Sequence, residues 1–396
     1  MATYLDAEWH RELLDELCTI PRATATEGEN RAAEWVADRL AQEGTSAQLE
    51  EEPSNGGYWW PLGLAAGAGL VAGLAALRGR RALPAAVAVI AAAAAVDDLP
   101  PRSRRLRRLL PGRRAWNVIA EAGPEDAERT MVLVAHHDTA HSGLIFHPAI
   151  PVTLDRVAPR VIESTDTSPP LMLPVVGAPA LVALGAAAGR RRLIRAGVAL
   201  CAGVVAAMAE IGARGAVPGA NDNGTGVVAL LALARALSER PTESLRVLLV
   251  SSSEEATCEG MHHFARRHFL RLPREATFFL CIDTVGSPHL CVLRGEGMLR
   301  MREYPGPALA LLDGLAEELG IDLFPNLRLR NATDGIYPVA AGYPCAAVCS
   351  CTRLKQPANY HWPTDIPEKV DYGTLADAIR LTEAAVRRLD ERWLDG

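Results

Sequence analysis

The chain has 396 residues, with 41 Lys and Arg against 47 Asp and Glu for a formal net charge of −6. That length can bury a large core and hold one big domain with additions, while the charge gives nucleic acid no global attraction. Eight cysteines (Cys18, Cys201, Cys258, Cys281, Cys291, Cys345, Cys349, Cys351) sit mostly in apolar runs, match no zinc-ribbon spacing and outline no disulfide framework, so they read as buried, reduced thiols.

Residues 1–18 are polar and helix-patterned, without the basic start and apolar core of a secretory signal. An amphipathic helix is predicted over residues 6–19, with Leu13, Leu14 and Leu17 on one face. Thr26-Glu27-Gly28-Glu29 has the form of a capping box for a helix over residues 30–42, with Trp35, Val36 and Leu40 inward. Gly44 stops that helix, and residues 46–51 read as a short strand.

Composition then shifts. Residues 58–77 run for twenty positions without a charge and end at Arg78-Gly79-Arg80-Arg81. Residues 82–96 are a second uncharged run closed by Asp97-Asp98, and residues 171–189 and 196–209 repeat the arrangement around Arg190-Arg191-Arg192. The pattern predicts two hydrophobic helical hairpins with arginine tips, over 58–99 and 171–211, that contact membrane lipid. A membrane span needs about 20 apolar residues, which the first run alone reaches. The pairs Gly63/Gly67, Gly69/Gly73 and Gly185/Gly189 suit close helix packing in lipid. A water-soluble helical subdomain or a homodimer interface is the alternative. Six arginines lie at the tips (78, 80, 81, 190, 191, 192) and seven at the base of the first hairpin (102, 104, 105, 107, 108, 113, 114). By the positive-inside rule, and with no signal ahead of residues 1–57, the expected arrangement is a multi-pass membrane protein whose catalytic part faces the cytoplasm. The stretch 102–110 also suits anionic lipid headgroups.

From residue 115 a globular pattern resumes. Strands are predicted over 116–121, 130–135, 245–250, 277–283, 290–293 and 345–349, and helices over 226–238, 260–269, 307–319 and 371–394. Strands alternating with helices argue for a three-layer α/β/α sandwich with a mostly parallel sheet. Residues 1–57, 113–170 and 213–396 would form one α/β unit, with 58–112 and 171–212 inserted into it.

Several apolar runs end in acids or imidazoles. Residues 130–135 deliver His136-His137-Asp138, residues 245–250 lead to Glu254-Glu255, and residues 277–282 deliver Asp283. The glycine-rich Pro218-Gly219-Ala220-Asn221-Asp222-Asn223-Gly224 opens a helix. Buried strands tolerate such carboxylates only when something neutralises them. In open α/β sheets ligands bind beyond the carboxyl ends of the strands, so His136, Asp138, Asp222, Glu254, Glu255, Asp283 and His361 together look like one metal site. Five nitrogen and carboxylate ligands can hold two zinc ions if one carboxylate bridges, with room for a shared water. A neighbouring carboxylate that is not a ligand can then move the water's proton. His-x-Asp supplies a ligand and an acid that can fix its tautomer.

Ala135-His136-His137-Asp138-Thr139, Pro218–Gly224, Ser253-Glu254-Glu255, Ile282-Asp283 and Tyr360-His361-Trp362-Pro363-Thr364-Asp365, in that order, resemble the di-zinc aminopeptidases of peptidase family twenty-eight of the metallo class. Thr333-Asp334-Gly335 and Ala341-Gly342-Tyr343-Pro344 are similar to two further motifs of that family, which often has Ser-Asp-His and Gly-Ile-Pro there. The resemblance spans residues ~1–50 and ~115–393, outside both hairpins. It implies the zinc-exopeptidase fold, His136 and Asp283 on one zinc, Glu255 and His361 on the other, and Asp222 bridging. It further implies Glu254 as general base, Asp138 orienting His136, and a cis peptide at Asp222-Asn223. Gly335 departs from the pattern, as does the long gap between His136 and Asp222.

The implied function is a zinc metallopeptidase, an aminopeptidase acting on peptide substrates and attached to a membrane by its hairpins. Cyclisation of N-terminal glutamine is an alternative, because cyclases related to that family share the fold and most of these positions. A non-catalytic scaffold would generally have lost ligands, and none is missing here.

Overall fold

Two side-chain caps begin the first helices in the computed structural model, which describes residues 3–255 and 257–394. Asp6 accepts the N–H of Glu8 at the head of α1 (Ala7–Cys18), which buries Leu13, Leu14 and Leu17. Thr26 caps α2 (Glu27–Gln42) by accepting the N–H of Glu29, so this helix starts three residues ahead of its predicted first turn. The capping box is only half made. The Glu29 carboxylate turns away from Thr26 to accept the backbone N–H groups of Ala25 and Trp116.

The chain continues through β1 (Ala47–Ser54), α3 (Trp59–Leu77), α4 (Ala82–Asp98), β2 (Arg113–Ala122) and β3 (Arg129–His136). Short helices α5 (Ala149–Val157) and α6 (Pro159–Glu163) lead to the longer α7 (Leu173–Ala187) and α8 (Arg191–Ala213). Then come α9 (Thr225–Glu239), β4 (Leu245–Ser252), α10 (Glu259–His268), β5 (Thr277–Asp283) and β6 (His289–Val292). The last third holds β7 (Gly295–Glu296), β8 (Arg302–Glu303), α11 (Gly306–Leu319), β9 (Arg328–Leu329), α12 (Ile336–Ala341), β10 (Cys345–Cys351) and α13 (Tyr372–Glu391).

Seven strands form one sheet in the order β1-β2-β4-β3-β5-β10-β6, and β8-β7-β9 form a small second sheet. The expectation of a mostly parallel sheet is corrected. Only the centre is parallel (β4, β3, β5, β10), while β1/β2, β2/β4 and β10/β6 are antiparallel. Parallel neighbours need a crossover that packs on the sheet; the excursion from β1 to β2 goes out into α3 and α4 instead.

Side chains alternate across the sheet with the strand period. Met131, Leu133, Leu249, Leu280 and Val348 join the core under α1, α2, α9, α11 and α13. Val132, Val134, Val250, Phe279 and Ala347 face the opposite layer. That second core also holds Tyr58, Leu62, Ala65 and Ala66 together with Val204, Met208 and Ile211. The base of the apolar helices is therefore continuous with the layer on that face of the sheet.

Helices α3, α4, α7 and α8 form one bundle: α3 packs on α8 and α4, and α7 packs on α8 and α4. Glycine permits this closeness, since a Cβ on Gly73 would lie 2.4 Å from Val198 and one on Gly69 would lie 2.9 Å from Pro179. Two glycines of the expected pairs do not act this way. Gly67 has no heavy atom within 4 Å of such a Cβ, and Gly189 takes φ +66° in the tip turn. Residues 59–77, 82–96, 173–187 and 196–209 contain no polar side chain, and Val71, Ile90 and Leu184 are 67%, 67% and 63% exposed on the outer face. Two of the helices, α3 and α8, are long and apolar enough to cross a membrane.

Candidate metal centre

Because β3, β4 and β5 run parallel, their carboxyl ends meet at one edge. The edge receives His136 from β3, Glu254 and Glu255 from the turn after β4, and Asp283 from β5. Asp222 arrives from the turn Ala220–Gly224 ahead of α9, and His361 from the loop after β10.

The His136 Nε2 atom lies 3.4 Å from Asp222 Oδ1 and 3.9 Å from Asp283 Oδ1. The His361 Nε2 atom lies 3.3 Å from Asp222 Oδ2 and 3.3 Å from Glu255 Oε1. Neighbouring ligand atoms around a tetrahedral zinc with bonds of about 2.0–2.1 Å are separated by about 3.3 Å. Among the described residues three triads have metal-holding spacing, His136/Asp222/Asp283, Asp222/Glu255/His361 and His136/Glu254/Glu255, and the first two share Asp222. Asp222 Oδ2 and His361 Nδ1 are buried and make no hydrogen bond of ordinary geometry, Asp222 Oδ2 facing the His361 Nε2 atom at 3.3 Å. The donor set and its spacing fit divalent cations.

Electrostatics point the same way. Burial pushes Asp283 up to about 7, with the charges of Asp222 and Asp334 adding to it. Burial also drives Glu254 well above the usual carboxylate range, reinforced by Glu255, Asp334 and Asp283. For His361, burial is outweighed by the carboxylates of Glu255 and Asp222, which lift it to about 10. So many buried carboxyl groups in contact call for compensating positive charge.

The supports are as ordered as the cluster. Asp138 is fully buried and accepts from Thr24 Oγ1 at 2.6 Å, from the Glu254 N–H at 2.7 Å and from the Glu255 N–H at 3.0 Å. The same residue faces His136 Nδ1, at 3.3 Å from Oδ1 and 3.2 Å from its backbone oxygen. One carboxylate therefore fixes both an imidazole and the Glu254-Glu255 turn. Burial would raise Asp138, but hydrogen bonding to His136 and Thr24 holds its carboxyl below the usual range. The Asn223 side chain bonds the carbonyl of Ile282 and the N–H of Thr284, tying the Asp222 turn to the end of β5. The Asp222-Asn223 peptide is cis, as the family resemblance implies.

Sequence reasoning gave no role to four residues here. Buried Arg22 donates to the carbonyls of His137, Pro218 and Gly219, clamping two site loops together. Thr24 bonds Asp138. Asp365 accepts from the Asn221 and Asp222 N–H groups, and the Tyr360 ring stacks on His361 at 3.8 Å. Asp365 and Tyr360 lay inside a quoted motif; Arg22 and Thr24 carry no local signal. The departure at Gly335 has a steric reason, since a Cβ there would lie 2.3 Å from Tyr304 Oη, which bonds Glu296.

A cavity of about 880 Å³ opens over the cluster, with Met172, Leu293, Met298 and Leu327 among its apolar walls. Fold and site together define the class, a metallopeptidase of the zinc-exopeptidase fold. Residues 202–386 match the model of peptidase family M28. Structural likeness runs along nearly the whole chain. A Zn-dependent exopeptidase from Parabacteroides distasonis matches at TM-score 0.56 and 13% identity, over 98% of this chain and 98% of the other. A glutaminyl cyclase from Tannerella forsythia matches at 0.56 and 15%, over 96% and 98%. An aminopeptidase from Aneurinibacillus sp. strain AM-1 matches at 0.56 and 13%, over 97% and 93%. Among curated protein sequences none matches this chain.

Proposed function

We propose that the chain is a zinc-dependent aminopeptidase holding two zinc ions, with His136 and Asp283 on one, Glu255 and His361 on the other, and Asp222 between them. The observation that carries this reading is the pair of triads sharing one aspartate. Bound there, the ions would acidify a shared water and polarise the peptide carbonyl. Glu254 borders the cavity; as a non-ligand it would take the water's proton and pass it to the departing amine. Asp138 acts through others, keeping His136 in one orientation and the Glu254-Glu255 turn in register. The apolar cavity walls exclude bulk water around the exchange.

The test is hydrolysis of aminoacyl anilides and dipeptides by the zinc-loaded protein beside Glu254→Gln. Unchanged activity in the variant defeats the assignment. Because a glutaminyl cyclase shares the fold, glutaminyl peptides belong in the same assay. Ammonia release without peptide cleavage would move the reading to cyclisation.

The unit formed by residues 1–57, 113–170 and 213–396 would carry the chemistry, and the bundle would anchor it in a bilayer. A helix that is apolar all round needs an apolar surrounding, and the outer faces of α3, α4, α7 and α8 have none within the chain. Trp59 and Trp60 at the base and arginines at the tips suit the two interfaces of a membrane. Arg104 and Arg107 are buried against Tyr337 and Asp98. That leaves five exposed arginines at the base against six at the tips, too even to set orientation by count. Retention of the protein in carbonate-washed membranes tests the anchor, and side-selective labelling of Gly79→Cys tests the expected cytoplasmic catalytic side.

A further inference from the structure

Beside the base of the bundle lies an open basin of about 1060 Å³, walled by the end of β1, the connection 103–108 and α10. Its frame is fixed by hydrogen bonds. Arg107 holds the Asp98 carboxylate with two of them, at 2.8 and 3.0 Å. Ser103 Oγ donates to Asp97 at 2.7 Å, and the Asn55 amide donates to the carbonyls of Leu110 and Pro111 at 3.3 and 3.2 Å. Both ends of the connection are thereby pinned, so its arginines belong to a folded wall and not to a loose basic tail. Five arginines line the basin against two glutamates, and both glutamates are already engaged. Glu52 lies 2.8 Å from Arg267, while Glu259 accepts from Ser54 Oγ at 2.5 Å and lies 3.9 Å from Arg107. Arg108 and Arg266 are exposed and form no ion pair among the described residues. His262 lines the basin too, and burial together with Arg104, His263, Arg266 and Arg108 pushes its imidazole down to about 3. Positive charge outweighs negative at this spot, and an anion would relieve it.

We propose that the basin binds a phosphate group, that of an anionic phospholipid in the leaflet from which α3 and α4 rise. Guanidinium groups match phosphate oxygens with paired hydrogen bonds. Position supplies the source. The lining runs from Pro53 and Asn55, just ahead of α3, to Arg104 and Arg107, just beyond α4, close in the chain to Trp59 and Trp60. A lipid headgroup lies at hand there, whereas a soluble anion has to be captured from dilute solution. The inference rests on the bilayer reading of the bundle and adds a lipid class to it. The sequence alone suggested a row of arginines spread over headgroups; in the fold Arg104 and Arg107 turn inward to Tyr337 and Asp98, and α10 supplies the opposite wall.

The experiment uses the full-length, zinc-loaded protein in neutral detergent micelles at low salt. Calorimetric titration with dihexanoyl phosphatidic acid should show saturable binding, and phosphatidylcholine of the same chain length should show none. The double variant Arg108→Ala/Arg266→Ala should lower that affinity about 25-fold, or about fivefold for each arginine. Raising the salt should weaken wild-type binding in the same direction. Arg78→Ala/Arg80→Ala, which removes as much charge at the bundle tip, should leave the affinity unchanged. Both variants replace exposed side chains and should keep the wild-type Tm measured without lipid. Inorganic phosphate is titrated alongside: binding as tight as the lipid's keeps the phosphate site and overturns its lipid source. Equal affinity for the two lipids, an affinity that survives in Arg108→Ala/Arg266→Ala, or one lost equally in the tip variant overturns the proposal. These titrations need no bilayer. Release of the protein by a carbonate wash would defeat the anchor alone, while the basin stands or falls by the affinities.

Discussion

The two oxygens of Asp365 accept the backbone N–H groups of adjacent residues, Oδ1 from Asn221 at 2.8 Å and Oδ2 from Asp222 at 3.0 Å. A carboxylate from the loop that carries His361 thus sets the pose of Asp222, the residue that two of the triads share. Residues that orient ligands typically matter 10–100-fold in metal affinity. Asp365→Ala is expected to lower zinc affinity by about that factor, measured by equilibrium dialysis, with the circular dichroism spectrum preserved.

Glu254→Gln keeps the side chain's size and removes its proton-transfer capacity. General-base contributions run at about 10²–10⁴-fold, so kcat should fall within that range while zinc content stays at the wild-type level. Loss of zinc in step with activity would make Glu254 a ligand instead.

Chelation should destabilise as well as inactivate. Without cations the carboxyl groups of Asp222, Asp283 and Glu255 face one another in a buried pocket. A ligand at a thousandfold its Kd stabilises by about 4 kcal/mol. Removing metal with phenanthroline is expected to lower Tm by several degrees, and adding zinc to restore both Tm and activity. Magnesium, which prefers six oxygen ligands, should restore neither.

A pH effect is expected at a buried carboxyl that is not one of the proposed ligands, Glu296. Burial pushes Glu296 up to about 8 from an ordinary 4.5, against hydrogen bonds from Thr333 and Tyr304 that pull it down. The folded chain therefore keeps a proton that the unfolded chain releases. Its stabilisation is fully present below about pH 4.5 and is lost as pH rises towards 8. Glu296→Gln cannot titrate, so the stability of the wild type relative to this variant should fall across that window in urea titrations of zinc-loaded protein.

Gly335 gives a steric prediction. With Tyr304 Oη 2.3 Å from where a Cβ would sit, Gly335→Ala should cost about 1–3 kcal/mol, and Gly335→His more. Relief of that cost in a Tyr304→Phe background is the measurement that identifies the clash.

The parts of this fold that were legible in the sequence are those with short-range causes. Continuous apolar runs located β3, β4 and β5, and the acids closing them located the site edge. The cap at Thr26 was local too, though Glu29 was drawn from its box by Trp116, a partner 87 residues on, and Asp6 proved to cap the first helix and not to begin it. Parallel or antiparallel pairing of β1, β2 and β6 depends on where each connection travels, which composition does not encode. Arg22 was invisible for the same reason, since three of its four carbonyl partners lie in loops far along the chain. The bundle's helices were plain from composition, whereas its contact with the site through Tyr58 and Met208 is a property of packing alone.

The bundle is interleaved with the sheet in chain order: α3 and α4 precede β2 and β3, and α7 and α8 follow them. On the ribosome, the first hairpin emerges while the helices that fill its glycine grooves are still unmade. Gly69 and Gly73 wait for Pro179 and Val198, and the strand bearing His136 is laid down in that interval. Assembly of the greasy half and assembly of the hydrolytic half are thereby braided in time, so a nascent chain stalled before α7 exposes an unpaired hairpin and an unfinished reaction centre together.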